Sequence, residues 1–123
     1  MVVPHVLIVD DNAANIKILR EILGTSYRVS SASDGKTALE MVEEDPPDVV
    51  LLDIVMPDMT GYDVLKSLRD GDRSGHIPVV FVSSRGEFDD KLDGFEKGAS
   101  GYIAKPADPD EVRFTVRRAL SGR

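Results

Sequence analysis

Val49-Val50-Leu51-Leu52-Asp53 is a run of four aliphatic residues that ends abruptly on an acid. A strand with one wet face alternates apolar and polar side chains. A run that is apolar throughout suits a strand covered on both faces, as in a parallel sheet between two layers of helices. The same form recurs on either side. Val6-Leu7-Ile8-Val9 runs into Asp10-Asp11, and Val79-Val80-Phe81-Val82 runs into Ser83-Ser84. Two weaker runs, Tyr27 to Ser31 and Gly101-Tyr102-Ile103-Ala104, complete the set, and the second leads into Lys105-Pro106. The strands are therefore expected at about 5–10, 27–31, 48–53, 78–83 and 101–104.

Amphipathic stretches fill the intervals. Ile16, Leu19, Ile22 and Leu23 mark the apolar face of a first helix, and Ala38, Leu39, Met41 and Val42 that of a second, after the Asp34-Gly35 turn. Gly61 to Arg69 carries Val64, Leu65 and Leu68 for a third. Phe88, Leu92 and Phe95, at i, i+4 and i+7, suit a fourth. Asp108-Pro109-Asp110-Glu111 reads as an N-cap, a proline at the first helical position and an acid at N3. With Val112, Val116 and Leu120 following, the last helix is expected over about 109–120.

Strand–helix alternation with right-handed crossovers predicts an α/β fold: a doubly wound five-stranded parallel sheet, (βα)5, with the flavodoxin-like order 2-1-3-4-5. The 123 residues read as one domain, 1–123. Ligands of such sheets bind outside the carboxyl ends of the strands, at the switch point between strands one and three. The polar residues that end the strands are therefore the candidates for function.

Composition narrows the chemistry. No apolar run approaches the ~20 residues needed to span a bilayer, and the start, Met1-Val2-Val3-Pro4-His5, has neither the basic region nor the long apolar core of a signal peptide. A cytoplasmic location is expected. A formal charge of -7 argues against direct nucleic-acid binding. Arg113, Arg117 and Arg118 then read as a solvated helix face, as does the acidic run Glu87, Asp89, Asp90, Asp93 and Glu96. The absence of cysteine excludes disulfides and thiolate metal sites, leaving oxygen or histidine ligands for any metal.

With strands one and three adjacent, Asp10, Asp11 and Asp53 converge. Like-charge repulsion would raise at least one carboxyl pKa unless a cation intervened. Oxygen ligands alone suit Mg2+, which binds through one or two carboxylates and keeps several waters. Lys105 brings a positive charge from strand five and Ser83 a hydroxyl from strand four. Together these groups describe a site for a carboxylate that attacks phosphorus. Asp53, alone after the central apolar run, is the expected nucleophile, while Asp10 and Asp11 stand in a pair, as metal ligands do.

Four segments, in order and spacing, carry a resemblance: Val6-Leu7-Ile8-Val9-Asp10-Asp11-Asn12, Leu51-Leu52-Asp53-Ile54-Val55-Met56-Pro57, Pro78-Val79-Val80-Phe81-Val82-Ser83-Ser84, and Gly98-Ala99-Ser100-Gly101-Tyr102-Ile103-Ala104-Lys105-Pro106. Over essentially its whole length the chain resembles the receiver domains of two-component response regulators. The resemblance implies that Asp53 takes a phosphoryl group from a phosphohistidine of a sensor kinase or phosphotransfer protein. It implies Mg2+, with Mn2+ able to take its place, on Asp11, Asp53 and the backbone carbonyl of Val55, with Asp10 acting partly through water. Lys105 and the backbone amides of Met56 and Ser84 would contact the phosphoryl oxygens. Ser83 and Tyr102 would shift on phosphorylation and alter the face made by the fourth helix, fifth strand and last helix, the family's usual surface for an effector or a homodimer partner. The Lys105-Pro106 peptide would be cis.

This sequence has Ser83 where threonine is more frequent and Ser84 where alanine or glycine is usual. For Tyr102, a half-buried strand aromatic with its hydroxyl at the surface is an equally open reading. The text Asn12-Ala13-Ala14-Asn15-Ile16 looks like receivers attached to signalling enzymes. The chain stops just after the last helix, at Ser121-Gly122-Arg123, so no output domain is expected within it. Catalysis is expected only on the chain's own aspartate. A Mg2+-dependent aspartyl phosphatase is disfavoured because the place of its second carboxylate, two residues after the nucleophile, is Val55. A pseudo-receiver would lack one of the acids or the lysine, and a flavodoxin-type binder would need a phosphate loop after strand one.

Overall fold

The computed structural model describes residues 3–84 and 98–122. In chain order these form β1 (His5–Val9), α1 (Ala13–Leu23), β2 (Arg28–Ala32), α2 (Gly35–Glu44), β3 (Val49–Leu52), α3 (Gly61–Asp70), β4 (Val79–Ser84), β5 (Gly101–Lys105) and α4 (Pro109–Ser121). The helix expected around Phe88, Leu92 and Phe95, with its acidic run, lies outside the described residues. The five strands form one parallel sheet in the order β2-β1-β3-β4-β5. This is the doubly wound, flavodoxin-like arrangement.

Every residue of β1 and β3 is buried because alternate side chains feed two separate cores. Leu7, Val9, Val50, Leu52 and Phe81 face α2 and α3, meeting Ala38, Val42, Val64, Leu65 and Leu68. Val6, Ile8, Val49, Leu51, Val80, Val82 and Ile103 face the opposite way, onto Leu19 and Leu23 of α1 and Val112 and Val116 of α4. Each fully buried aliphatic side chain contributes roughly 1.5–3 kcal/mol, enough in sum for a cysteine-free chain to hold by packing.

Local signals set the helix starts. Asn12 accepts from the amide of Ala14 at 2.9 Å, Asp34 from Thr37 at 2.7 Å and Asp108 from Glu111 at 2.9 Å. Thr60 and Asp63 form a reciprocal capping box.

At the amino end of the sheet, His5 is buried. Its Nε2 lies 2.8 Å from Ser30 Oγ, and its Nδ1 is 3.9 Å from Asp45 Oδ2. Burial and the Arg28 charge hold the imidazole pKa below its ordinary value, against the opposing pull of Asp45 and Asp48. The unfolded chain therefore takes up this proton first. The stability that neutral His5 contributes is complete above about pH 6.5 and is lost as the pH falls below it. Urea midpoints at pH 7.5 and 5.5 should differ more for wild type than for His5→Gln; equal differences would remove His5 as the cause.

Candidate phosphoryl site

The sheet order aligns the carboxyl ends of β1, β3, β4 and β5, and each delivers one polar side chain to the same place. Asp10 follows β1 and Asp53 follows β3, and both remain in the ladder through their backbones. Asp10 N donates to Ala32 O at 3.1 Å, and Asp53 N to Val9 O at 2.9 Å. Their carboxylates are held where the strands end and are almost wholly buried, at 2% and 6% exposure.

Lys105, the last residue of β5, places Nζ 2.9 Å from Asp10 Oδ2 and 3.2 Å from Asp53 Oδ2. Ser83, fully buried in β4, donates from Oγ to Asp53 Oδ1 at 2.7 Å, and the Ile54 amide donates to the same oxygen at 2.8 Å. Asp10 Oδ1 accepts from the Asn12 amide at 2.9 Å. Burial alone would lower the Lys105 pKa, but the hydrogen bond and charge of Asp10 and the charge of Asp53 outweigh it and raise the ammonium above its ordinary value. Lys105 is therefore a fixed cation at neutral pH.

Asp11 is exposed beside this pair, and carboxylate oxygens of Asp10, Asp11 and Asp53 lie within 4.8 Å of one another. Among the described residues, three carboxylates face one ammonium and leave a net charge of about −2, which one divalent cation balances. The donor set is all oxygen, so the residues fit a hard cation.

The loop from Asp53 to α3 carries Val55, which is exposed, and Met56, which is buried. It closes where Gly61 N donates to Ile54 O at 2.7 Å. A Cβ at Gly61 would overlap the carbonyl oxygen of Asp53, so the close approach requires glycine. Ser84 ends β4 and is exposed. Tyr102 in β5 is half-buried, its ring centroid 5.3 Å from that of Phe81, which stands 5.2 Å from Tyr62. The Lys105-Pro106 peptide is cis. Sequence reasoning missed Asp58, whose carboxylate reaches across to the start of α2, because its partners are backbone amides 22 and 23 residues away. It also missed Arg69, whose guanidinium donates to the carbonyls of Gly75, Ile77 and Gly98.

Residues 6–117 match the family model of the response regulator receiver domain. The chain belongs to this family. It is a receiver domain of two-component response regulators, and its curated relatives agree. It is 41% identical over 118 residues to response regulator PleD of Caulobacter vibrioides, covering 95% of this chain and 26% of that protein. A probable cyclic di-GMP phosphodiesterase of Vibrio cholerae is 44% identical, with 96% and 27% covered. The receiver thus spans about a quarter of the length of these relatives. Among solved structures, a putative response regulator from Chloroflexus aurantiacus superposes with a TM-score of 0.91 at 32% identity, covering 96% of this chain and 98% of that one. The chemotaxis response regulator CheY4 of Vibrio cholerae gives 0.89 at 29% identity, covering 97% and 100%.

Proposed function

We propose that Asp53 is the phosphoacceptor of this receiver and takes its phosphoryl group from a phosphohistidine on a sensor histidine kinase or phosphotransfer protein. The observation that carries this reading is the setting of the Asp53 carboxylate. It is buried at a strand end, with one oxygen on the Ser83 hydroxyl and the other on the Lys105 ammonium. An Asp53 oxygen forms the bond to phosphorus as the bond from phosphorus to the donor nitrogen breaks. Lys105, the Ser83 hydroxyl and the backbone amides of Met56 and Ser84 receive the phosphoryl oxygens. Electrostatic stabilisation of this kind is the larger part of phosphoryl-transfer catalysis.

Asp10, Asp11, Asp53 and the Val55 carbonyl would hold Mg2+, or Mn2+ in its place. The ion supplies positive charge to the phosphoryl oxygens that a single lysine does not. Phosphorylation adds charge and acceptor oxygens at the point where Ser83 now bonds Asp53, so Ser83 makes different contacts in the two states. Tyr102, packed on Phe81 two residues before Ser83, shares that strand pair and would carry the change to the exposed edge made by β5 and α4. An effector domain, an effector protein or a second copy of the chain would read this edge. The donors of this reading act in the cytoplasm, where we place the protein, and no described helix is long and apolar enough to cross a membrane.

Intact mass after incubation with acetyl phosphate tests the reading. One added phosphoryl group, present with Mg2+ and absent without it, is expected. No gain under conditions where Mg2+ binding is measured would leave a phosphorylation-independent binding module.

A further inference from the structure

The loop from Asp53 to Thr60 leaves the sheet with a metal-facing carbonyl and a phosphoryl-facing amide, under the reading above, and something must hold both in place. Its two ends are fixed, by the Gly61 to Ile54 hydrogen bond and by the Thr60–Asp63 capping box. Between them Met56 is buried in the core, while Asp58 and Met59 reach the start of α2. Asp58 Oδ1 accepts from the amide of Gly35 at 3.1 Å, and Oδ2 from that of Lys36 at 3.0 Å. These are donors of the first turn of α2, which have no partner within their own helix. The side chain of the helix's own cap, Asp34, takes the Thr37 amide.

Met59 lies against the same turn so closely that a Cβ on Gly35 would overlap its Cγ and Sδ. The α2 start is thus shaped around this loop, with a glycine where the loop presses and two free amides where it bonds. Because both carboxylate oxygens are engaged, Asp58 fixes orientation as well as distance. Val55 and Met56 lie three and two residues before it, across a proline that restricts the turn between them.

We infer that Asp58 is a positioning residue for the phosphoryl site, clamping the loop after Asp53 onto the α2 N-terminus so that the Val55 carbonyl and Met56 amide face Asp53. The inference rests on the receiver reading and adds to it. It differs from a purely structural role in one respect: the helix end could weaken without disturbing the site, whereas a released loop could not.

Two variants separate these cases. Asp34→Ala removes the other α2 cap and leaves the loop alone, while Asp58→Ala frees the loop. Mg2+ titration of the full chain, followed by backbone amide shifts of Ile54, Val55 and Met56, reads the site directly. Asp58→Ala should raise the Mg2+ dissociation constant about tenfold, the loss typical when a partner behind a metal ligand is removed. Asp58→Asn, which keeps one acceptor oxygen, should fall between Asp58→Ala and wild type. Asp34→Ala should lower the melting temperature with wild-type Mg2+ affinity. Wild-type affinity in Asp58→Ala, or equal loss in Asp34→Ala, would overturn the inference and leave the receiver reading standing. An absence of Mg2+ binding in the wild type would overturn both.

Discussion

Asp53→Asn is expected to take up no phosphoryl group from acetyl phosphate at any Mg2+ concentration, in an intact-mass measurement where the wild type gains one. Asparagine has the same shape, and its Oδ1 can still accept from Ser83 Oγ and the Ile54 amide, the contacts that hold the present carboxylate at 2.7 and 2.8 Å. Lys105 keeps its bond to Asp10. What disappears is the charged oxygen, and a neutral amide is not a nucleophile toward phosphorus. The variant should also melt close to wild type in the absence of Mg2+, because relief of repulsion among three carboxylates offsets the lost bond from Lys105 to Asp53 Oδ2. Full phosphorylation of the variant would place the acceptor elsewhere. A large fall in melting temperature would show instead that the Asp53 charge holds the fold, and loss of uptake would then be uninformative about chemistry.

Most of this constellation was legible because the fold brings strand ends together, and strand ends were visible as the points where apolar runs stop. β1, β3 and β4 stand out because each contains four consecutive apolar residues covered on both faces. β2 is less distinct: Ser30 and Ser31 lie in a half-covered edge strand, so the expected start at Tyr27 falls one residue before the observed Arg28. β5 was expected to end at Ala104 because a lysine reads as the start of a loop. Lys105 continues the strand, its register fixed against Ser84, because its side chain turns onto two carboxylates rather than into water.

Contacts from side chains to distant backbone left no trace in the sequence. Asp58 sits in Pro57-Asp58-Met59-Thr60-Gly61, where an acid is ordinary turn chemistry, and nothing local names Gly35 and Lys36 as its partners. Arg69 reads as the basic end of a helix, yet its guanidinium ties the stretch before β4 to Gly98. His5 falls within the expected first strand, but its burial follows only from β1 lying between β2 and β3.

Lys105→Ala is the second substitution with a large expected effect, and its two consequences, on stability and on phosphorylation, respond differently to Mg2+. The ammonium is 2.9 Å from Asp10 and 3.2 Å from Asp53, its side chain 19% exposed. Truncation leaves three carboxylates with no cation beside them among the described residues, and their mutual repulsion is no longer offset. Removing one partner of a buried pair costs roughly 3–5 kcal/mol, and the open side at Asp11 argues for the lower end of that range. Because the Lys105 pKa is raised, its contribution is complete throughout the neutral range and is lost only as the pH climbs above about 10, so the destabilisation should be flat between pH 6 and 9. Mg2+ should restore part of the stability, since it supplies the missing charge. It should not restore phosphorylation: loss of a donor aimed at the developing phosphoryl charge lowers the rate by about 10²–10³-fold. Lys105→Arg, whose planar fork cannot place one compact charge between Asp10 and Asp53, should keep the stability and recover little of the rate. Phosphorylation of folded Lys105→Ala at the wild-type rate would mean that Lys105 balances carboxylates only and never meets the phosphoryl group.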